Sequence, residues 1–185
     1  DVLGWQSEGF WAWNNTITVP GENSLTLDEN GIFIYDKTSY YIPSANKIYS
    51  QNQFKYDAQK KFEVVKSNVG FKTFVTKALT VHRDHAITGV LFAIASAFQD
   101  IVVDELGNFP IFYLYGPAST GKDQLAEICQ SFFGTPQTAI NLEGGVSTVK
   151  AQVREFAQFV NSMSHLSEYK RGDPKLDGIL KGLWD

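Results

Sequence analysis

Sulfur is almost missing from this chain of 185 residues, which carries one cysteine, Cys129, and one methionine, Met163. A lone thiol excludes an intramolecular disulfide and a zinc centre built on several cysteines, and a reducing, cytoplasmic setting is the expectation. Arginine is also scarce: Arg83, Arg154 and Arg171 are the whole set. Cationic charge is not in excess, with 16 Lys and Arg against 20 Asp and Glu and a net charge of −4. No whole-molecule field draws in nucleic acid, so any such contact must be local or lie elsewhere. Long apolar runs are absent too. The longest, Val90 to Phe98, falls well short of the ~20 residues a bilayer span needs, and the opening residues do not resemble a signal peptide. No membrane partner is expected. The chain starts at Asp1 and its only methionine is internal, so it reads as a piece of a longer protein.

Bulky core material is plentiful. Hydrophobic residues make up 43% and aromatics 14%, including 14 Phe and 8 Tyr, which supports a folded protein of one domain or two small ones. Residues 1–66 read as a β-rich module. Gly31–Tyr35 and Ser39–Pro43 are strand-like, and Pro20–Asn23 and Asp28–Gly31 are turn-like. Trp5, Phe10, Trp11 and Trp13 cluster near the start. They suit a base-stacking platform, but few basic residues sit beside them and core packing is the stronger reading.

Residues 67–106 read as a helical linker. Asp84 is placed to cap a helix running to about Gln99, with Ile87, Val90, Leu91, Ile94 and Phe98 at helical spacing and buried on most sides. His82 and His85 near its start are read as solvated or capping groups, since no acidic or sulfur ligands accompany them. From residue 107 to 185 strands and helices alternate. Ile111–Tyr115 is an apolar strand, Gly121–Phe133 a helix ended by Gly134, and Ala139–Leu142 a second strand. Ser147–Val160 is a second helix with Ser147 as its cap, and Ser162–Ser167 is a third strand. That order predicts an α/β core with a parallel sheet.

The central motif is Gly116-Pro117-Ala118-Ser119-Thr120-Gly121-Lys122, which fits G-x-x-x-x-G-K. Glycines let successive N–H groups turn inward towards phosphate oxygens, and the helix that follows adds the positive end of its dipole. Lys122 then bridges the β- and γ-phosphates. From composition alone the pattern would arise by chance about 0.08 times in such a chain, so an ordinary glycine-rich turn is the weaker reading. The next residue departs from the usual Ser or Thr. Asp123 stands where a hydroxyl normally binds Mg²⁺; a carboxylate is a good Mg²⁺ ligand but repels the triphosphate. The second acidic site of such enzymes is sought in His165-Leu166-Ser167-Glu168-Tyr169-Lys170. Ser167 occupies the position of the expected Asp, and Glu168 is the candidate water-activating acid. Asp123 and Ser167 together read either as an exchange of Mg²⁺ ligand types between two neighbouring strands or as decay of the site.

Several stretches resemble a known family: Phe109–Pro117, Ile140–Leu142, Ser167–Lys170 and Leu180–Asp185, with Tyr41–Pro43 and Lys47–Tyr49 upstream. They are similar to the helicase-type ATPase region of primase–helicase proteins, of the zinc-finger DNA-primase-like kind, from phages and mobile elements of Bacteroides-type bacteria. The resemblance implies a P-loop NTPase fold of the AAA+ or RecA-like type at 107–185. It also implies ATP or ADP and Mg²⁺ as ligands, DNA as a partner through the full-length protein, and a ring-shaped homo-oligomer; a net charge of −4 and no long heptad pattern give this piece no reason to self-associate tightly, so it is expected to be monomeric by itself. Gly116, Gly121 and Lys122 would bind phosphate and Glu168 would activate water. The arginine finger and polar sensor would lie beyond Asp185. Two other classes compete: a degenerate nucleotide-binding or scaffolding module without hydrolysis, and a small-molecule kinase, disfavoured by the shortage of arginine for its lid and clamp.

Overall fold

Short strands come first, helices follow, and the two mix towards the end of the chain in the computed structural model, which describes residues 2–52, 54–142, 149–170 and 172–184. The result is a mixed α/β fold with small sheets, one of them parallel. The first strands are β1 (Leu3–Gln6), β2 (Phe10–Ala12), β3 (Ile17–Thr18), β4 (Ile32–Tyr35) and β5 (Thr38–Tyr41). The helices α1 (Asp57–Lys61), α2 (Phe71–His82), α3 (Asp84–Ser96), α4 (Gln99–Leu106) and α5 (Lys122–Gln130) follow. The last part carries β6 (Ile140–Asn141), α6 (Val149–Phe156), β7 (Phe159–Val160), β8 (Leu166–Ser167) and α7 (Pro174–Trp184).

Strands β1, β2 and β3 form an antiparallel meander with Trp5 opposite Trp11 and Ala12 opposite Ile17. Phe10 and Ala12 are buried while Trp11 between them is half-buried, the period-two pattern of a strand with one face on a core. The β4–β5 hairpin turns at Asp36 and Lys37, both with positive φ (44° and 63°), as the two central residues of a type I′ turn require. The turn at 28–31 is set by the Asp28 carboxylate, which accepts from the N–H groups of Asn30 and Ile32 at 2.9 and 2.8 Å.

A fourth strand completes the first sheet, and it comes from far along the chain. β7 runs parallel to β1, pairing Leu3 with Phe159 and Gly4 with Val160. Residues 157–160 therefore do not continue the helix expected over Ser147–Val160: α6 ends at Phe156, and Phe159–Val160 extend to meet β1. Ser147, the expected cap, lies outside the described residues. The core under this sheet draws on the whole chain, with Leu3, Phe10, Ile17, Phe33 and Phe62 beside Phe133, and with Phe159 and Met163 packed against them. Trp11 and Trp13 belong to it: Trp13 stacks on Phe62 at 4.7 Å and on Trp11 at 5.4 Å.

The helical segment departs from expectation in two ways. Asp84 does not cap α3; Arg83 occupies the N-cap, without a side-chain capping bond, and Asp84 is the first helical residue. Nor is α3 buried on most sides. Its small residues, Ala86, Gly89, Ala93 and Ser96, face inward with Val90, whereas Ile87, Leu91 and Ile94 are exposed, as is Phe98 beyond its end. The cause is the closeness of α5: a Cβ on Gly89 would lie 2.8 Å from the Cys129 sulfur and 3.3 Å from Leu125 Cδ1, so α3 presents small side chains where Leu125 and Cys129 of α5 pack. Burial there pushes the Cys129 thiol up to about 11, so it stays protonated and inert at neutral pH. No single helix among the described residues is long and apolar enough to cross a membrane; α3 and α4 together would be, but they meet at 83°.

The start of α4 is capped from a distance. Phe98 at its N-cap makes no side-chain cap, and buried Asn161, just after β7, supplies one. Its Oδ1 accepts from Asp100 N at 3.1 Å, while its Nδ2 donates to Asp100 Oδ1 at 2.6 Å and Ala97 O at 3.2 Å. Asn161→Ala is expected to cost about 2 kcal/mol, since it leaves the half-buried Ala97 and Asp100 partners unpaired as well as removing the cap. Urea denaturation checks this, and a loss below about 0.5 kcal/mol would contradict the capping role.

Past α4 the expected parallel sheet forms only in part. β6 and β8 pair in parallel, with Ile140 N donating to His165 O and Leu142 N to Ser167 O. The Ile111–Tyr115 stretch is extended, with Phe112 and Leu114 half-buried and Ile111, Tyr113 and Tyr115 exposed. It carries no ladder, and among the described residues 108–116 make no backbone–backbone hydrogen bond. Phe112 and Leu114 anchor it instead, on Phe92 of α3 and on the Ala93–Leu125–Cys129 cluster. Alternation is thus present without a partner, so the stretch is not the fully buried strand that its apolar run implies. The neighbour of β8 is β6, not this stretch.

Candidate phosphate-binding site

The extended segment 111–115 runs straight into the glycine loop, and α5 begins as the loop ends. Leu125 and Cys129 hold α5 against α3, so the first turn of α5 is fixed at the loop. Gly121 is the N-cap of α5 with φ 82° and ψ 16°, a left-handed conformation open to glycine at little cost. Ser119 is left-handed too, with φ 60°. Residues 119–121 thus alternate in hand in the way that gathers successive N–H groups into a concavity for an anion. No side chain caps α5, so its first N–H groups are open to such an anion.

Lys122 closes the loop on itself. Its ammonium donates to Gly116 O at 3.0 Å and to Pro117 O at 2.6 Å, and it lies 3.4 Å from the Thr120 hydroxyl. Thr120 Oγ1 in turn donates to Pro117 O at 2.9 Å. Pro117, Ala118, Ser119 and Thr120 are exposed, and Gly116, Gly121 and Lys122 are half-buried. The loop is therefore an open rim around a cation drawn back towards its own carbonyls.

The other candidate residues lie nearby on β8 and just after it. Leu166 and Ser167 form the strand, Ser167 is half-buried, and Glu168 is exposed immediately beyond, with φ 60°. A left-handed glutamate is uncommon, and such backbone clusters at sites of function. Two contacts tie the residues on either side of β8 to those on either side of the loop. The His165 Nε2 lies 3.7 Å from Asp123 Oδ1, and the Tyr113 ring meets that of Tyr169 edge-on at 6.0 Å. The Tyr169 hydroxyl also donates to Asp177 Oδ1 at 2.7 Å, fastening the turn after Glu168 to α7. Asp123 is exposed and Ser167 is not. The pair His165–Asp123 is what links α5 to β8, and the sequence, read for acids and hydroxyls, gave His165 no role.

Oxygen donors at 123 and 167 suit Mg²⁺, which takes one or two protein ligands and fills its shell with water and phosphate oxygens. Among the described residues no group of three or more His, Cys, Asp or Glu side chains gathers to hold a metal unaided, so any ion here would depend on a phosphate ligand for part of its shell. His85, the other half of the histidine pair, is exposed, whereas His82 is half-buried. Two shallow surface depressions, around Ile48 and Phe54 and around Asn14 and Lys60, lie in the N-terminal part of the chain, away from these groups.

Burial lowers the pKa of His165 from its ordinary value, and the charges of Asp123 and Glu127 pull it partly back up. A group whose folded pKa is depressed binds its proton more readily when unfolded. Its contribution to stability is thus present above about pH 6.5, the unfolded value, and is lost as pH falls through that value towards the folded one. The stability of the parent is expected to fall between pH 7.5 and 5.5 by more than that of His165→Gln. Equal slopes in urea titrations at the two pH values would contradict it.

The chain matches no known family, no curated protein and no solved structure.

Proposed function

We propose that the chain is the nucleotide-binding part of a P-loop ATPase of the helicase type, in which ATP hydrolysis drives movement on DNA during replication. The observation that carries the reading is the geometry of Gly116–Lys122: a loop between an extended segment and a helix, left-handed at Ser119 and Gly121, with Lys122 at its mouth. In this reading the first N–H groups of α5 and the Lys122 ammonium hold the β- and γ-phosphates, the ammonium leaving the carbonyls of Gly116 and Pro117 to do so. Glu168, exposed just past β8, accepts a proton from the attacking water. Asp123 and Ser167 would hold Mg²⁺, which neutralises charge on the phosphates when bound.

A second reading has one observation in its favour. Asp123 already faces His165, and Ser167 brings no charge to the metal, so the site would bind nucleotide without turning it over. Turnover of Mg-ATP by the longer protein, with and without single-stranded DNA, decides between them: DNA-stimulated hydrolysis supports the motor, and binding without hydrolysis supports the second. The loop assignment itself is tested by Lys122→Ala. Charge-assisted hydrogen bonds to phosphate are worth about 1.5–3 kcal/mol, so Mg-ADP affinity should fall by roughly 10- to 150-fold in calorimetry. Equal affinity in the two proteins would remove the loop from the site.

A further inference from the structure

One residue outside the motif sits on the loop. A Cβ built on Gly121 would lie 3.2 Å from Cε1 and 3.7 Å from Nδ1 of His82, so the half-buried imidazole fills the space that a side chain at 121 would take. His82 is the last residue of α2, and it is aimed there by an unusual corner. Arg83, which ends α2 and starts α3, has φ 51° and ψ −139°, outside the left-handed basin that non-glycine residues visit and close to a region essentially reserved for glycine. The corner is held by backbone bonds on both sides, Arg83 N to Leu79 O at 2.9 Å and Ala86 N to Arg83 O at 3.0 Å. Strain of this kind persists only where the surroundings over-determine it, and it gathers at functional sites.

We propose that His82 is a positioning residue of the phosphate loop: its imidazole, delivered by the strained Arg83 corner, braces Gly121 and keeps residues 116–122 in the anion-binding shape. The inference deepens the P-loop reading and rests on it for its functional meaning. The loop is otherwise tied only to itself, by the Lys122 and Thr120 bonds to the Gly116 and Pro117 carbonyls, while Pro117 to Thr120 are exposed and the segment before it has no ladder. A rigid ring against the second glycine removes the freedom that this glycine would otherwise bring to the N-cap of α5. Helix α2 thereby becomes one wall of the site, although it contributes nothing to the motif.

The test compares the parent with His82→Ala, His82→Gln and Lys122→Ala, by amide hydrogen exchange over residues 116–124 without nucleotide and by titration with Mg-ADP. His82→Ala is expected to speed exchange in those residues about tenfold and to weaken Mg-ADP by about five- to tenfold, with the melting temperature nearly unchanged. His82→Gln, whose planar amide can lie against Gly121, should restore most of both. Unchanged exchange in His82→Ala overturns the proposal, as does faster exchange spread over the whole chain together with a lower melting temperature. If Lys122→Ala binds Mg-ADP as well as the parent while His82→Ala loosens the loop, the bracing stands and the phosphate reading falls. If Lys122→Ala loses binding and His82→Ala changes nothing, the reverse holds.

Discussion

Phe62→Ala is expected to lower the stability of the protein by about 3–5 kcal/mol, the range for truncating a fully buried aromatic side chain. Phe62 is 0% exposed. Its ring stacks on Trp13 at 4.7 Å, lies 5.0 Å from that of Phe159, and is nearly parallel to Phe133 at 6.3 Å. Its carbonyl accepts from Asn14 N at 2.8 Å. These partners come from the loop after β2, from β7, and from the turn that ends α5. The loss should sit high in the range, because aromatic pairs add about 0.5–1.5 kcal/mol beyond the area they bury. The cavity would be walled by ring systems that cannot fold inward, which further limits relaxation. With domains stable by only about 5–15 kcal/mol, such a loss should move the urea midpoint strongly. Tryptophan fluorescence follows it, since Trp11 and Trp13 belong to the same stack. A shift worth less than about 1 kcal/mol would mean that this cluster does not hold the ends of the chain together.

Gly4→Ala should cost about 3 kcal/mol or more, although it adds a single methyl. Gly4 has φ 102°, and a Cβ there would run into the carbonyl oxygen of Val160, with Val160 C and N each 3.0 Å away. Those atoms belong to the strand that Gly4 pairs with. Backbone cannot step aside without breaking the β1–β7 ladder and the bond from Leu3 N to Gln158 O at 3.0 Å. Two costs therefore add, the strained backbone and the collision. Gly21→Ala separates them, because Gly21 has φ 79° and nothing within 4 Å of the built Cβ. It should cost only about 1 kcal/mol. Equal losses at the two positions would show that the close approach of β7 contributes nothing.

The helices and turns were largely legible in the sequence because their causes are local. The apolar spacing of Leu125, Ile128 and Cys129 marks one face of a helix. Gly134 after it has φ 119°, and α5 with its short 3-10 turn ends at Phe133. Asp28 sets the turn at 28–31 within a few residues of itself; the Asp36–Lys37 turn is just as local, though the sequence reading did not single it out. The turn at 116–121 and the start of α5 could likewise be read directly, since the glycines that permit its backbone and the lysine after them lie on one short stretch of chain.

What the sequence could not supply was pairing across long separations. It placed Ile111–Tyr115 in a sheet, but the alternation of Phe112 and Leu114 says only that one side is covered, and α3 and α5 cover it. It ran a helix through Phe159 and Val160, because those residues suit either state, and the β1 edge decided the matter. His82 and His165 carry no pattern of their own; only the fold brings the last residue of α2 against Gly121 and the residue before β8 to 3.7 Å from Asp123. The sequence by itself determined the local elements and the motif, which depend on neighbours a few residues apart. Only the tertiary structure decided which strand joins which and which side chains stand around the loop. Two-residue strands hold too few hydrogen bonds to choose their own partners, and for β3 and β7 the shared core around Phe62, which takes in Ile17 and Phe159, makes the choice.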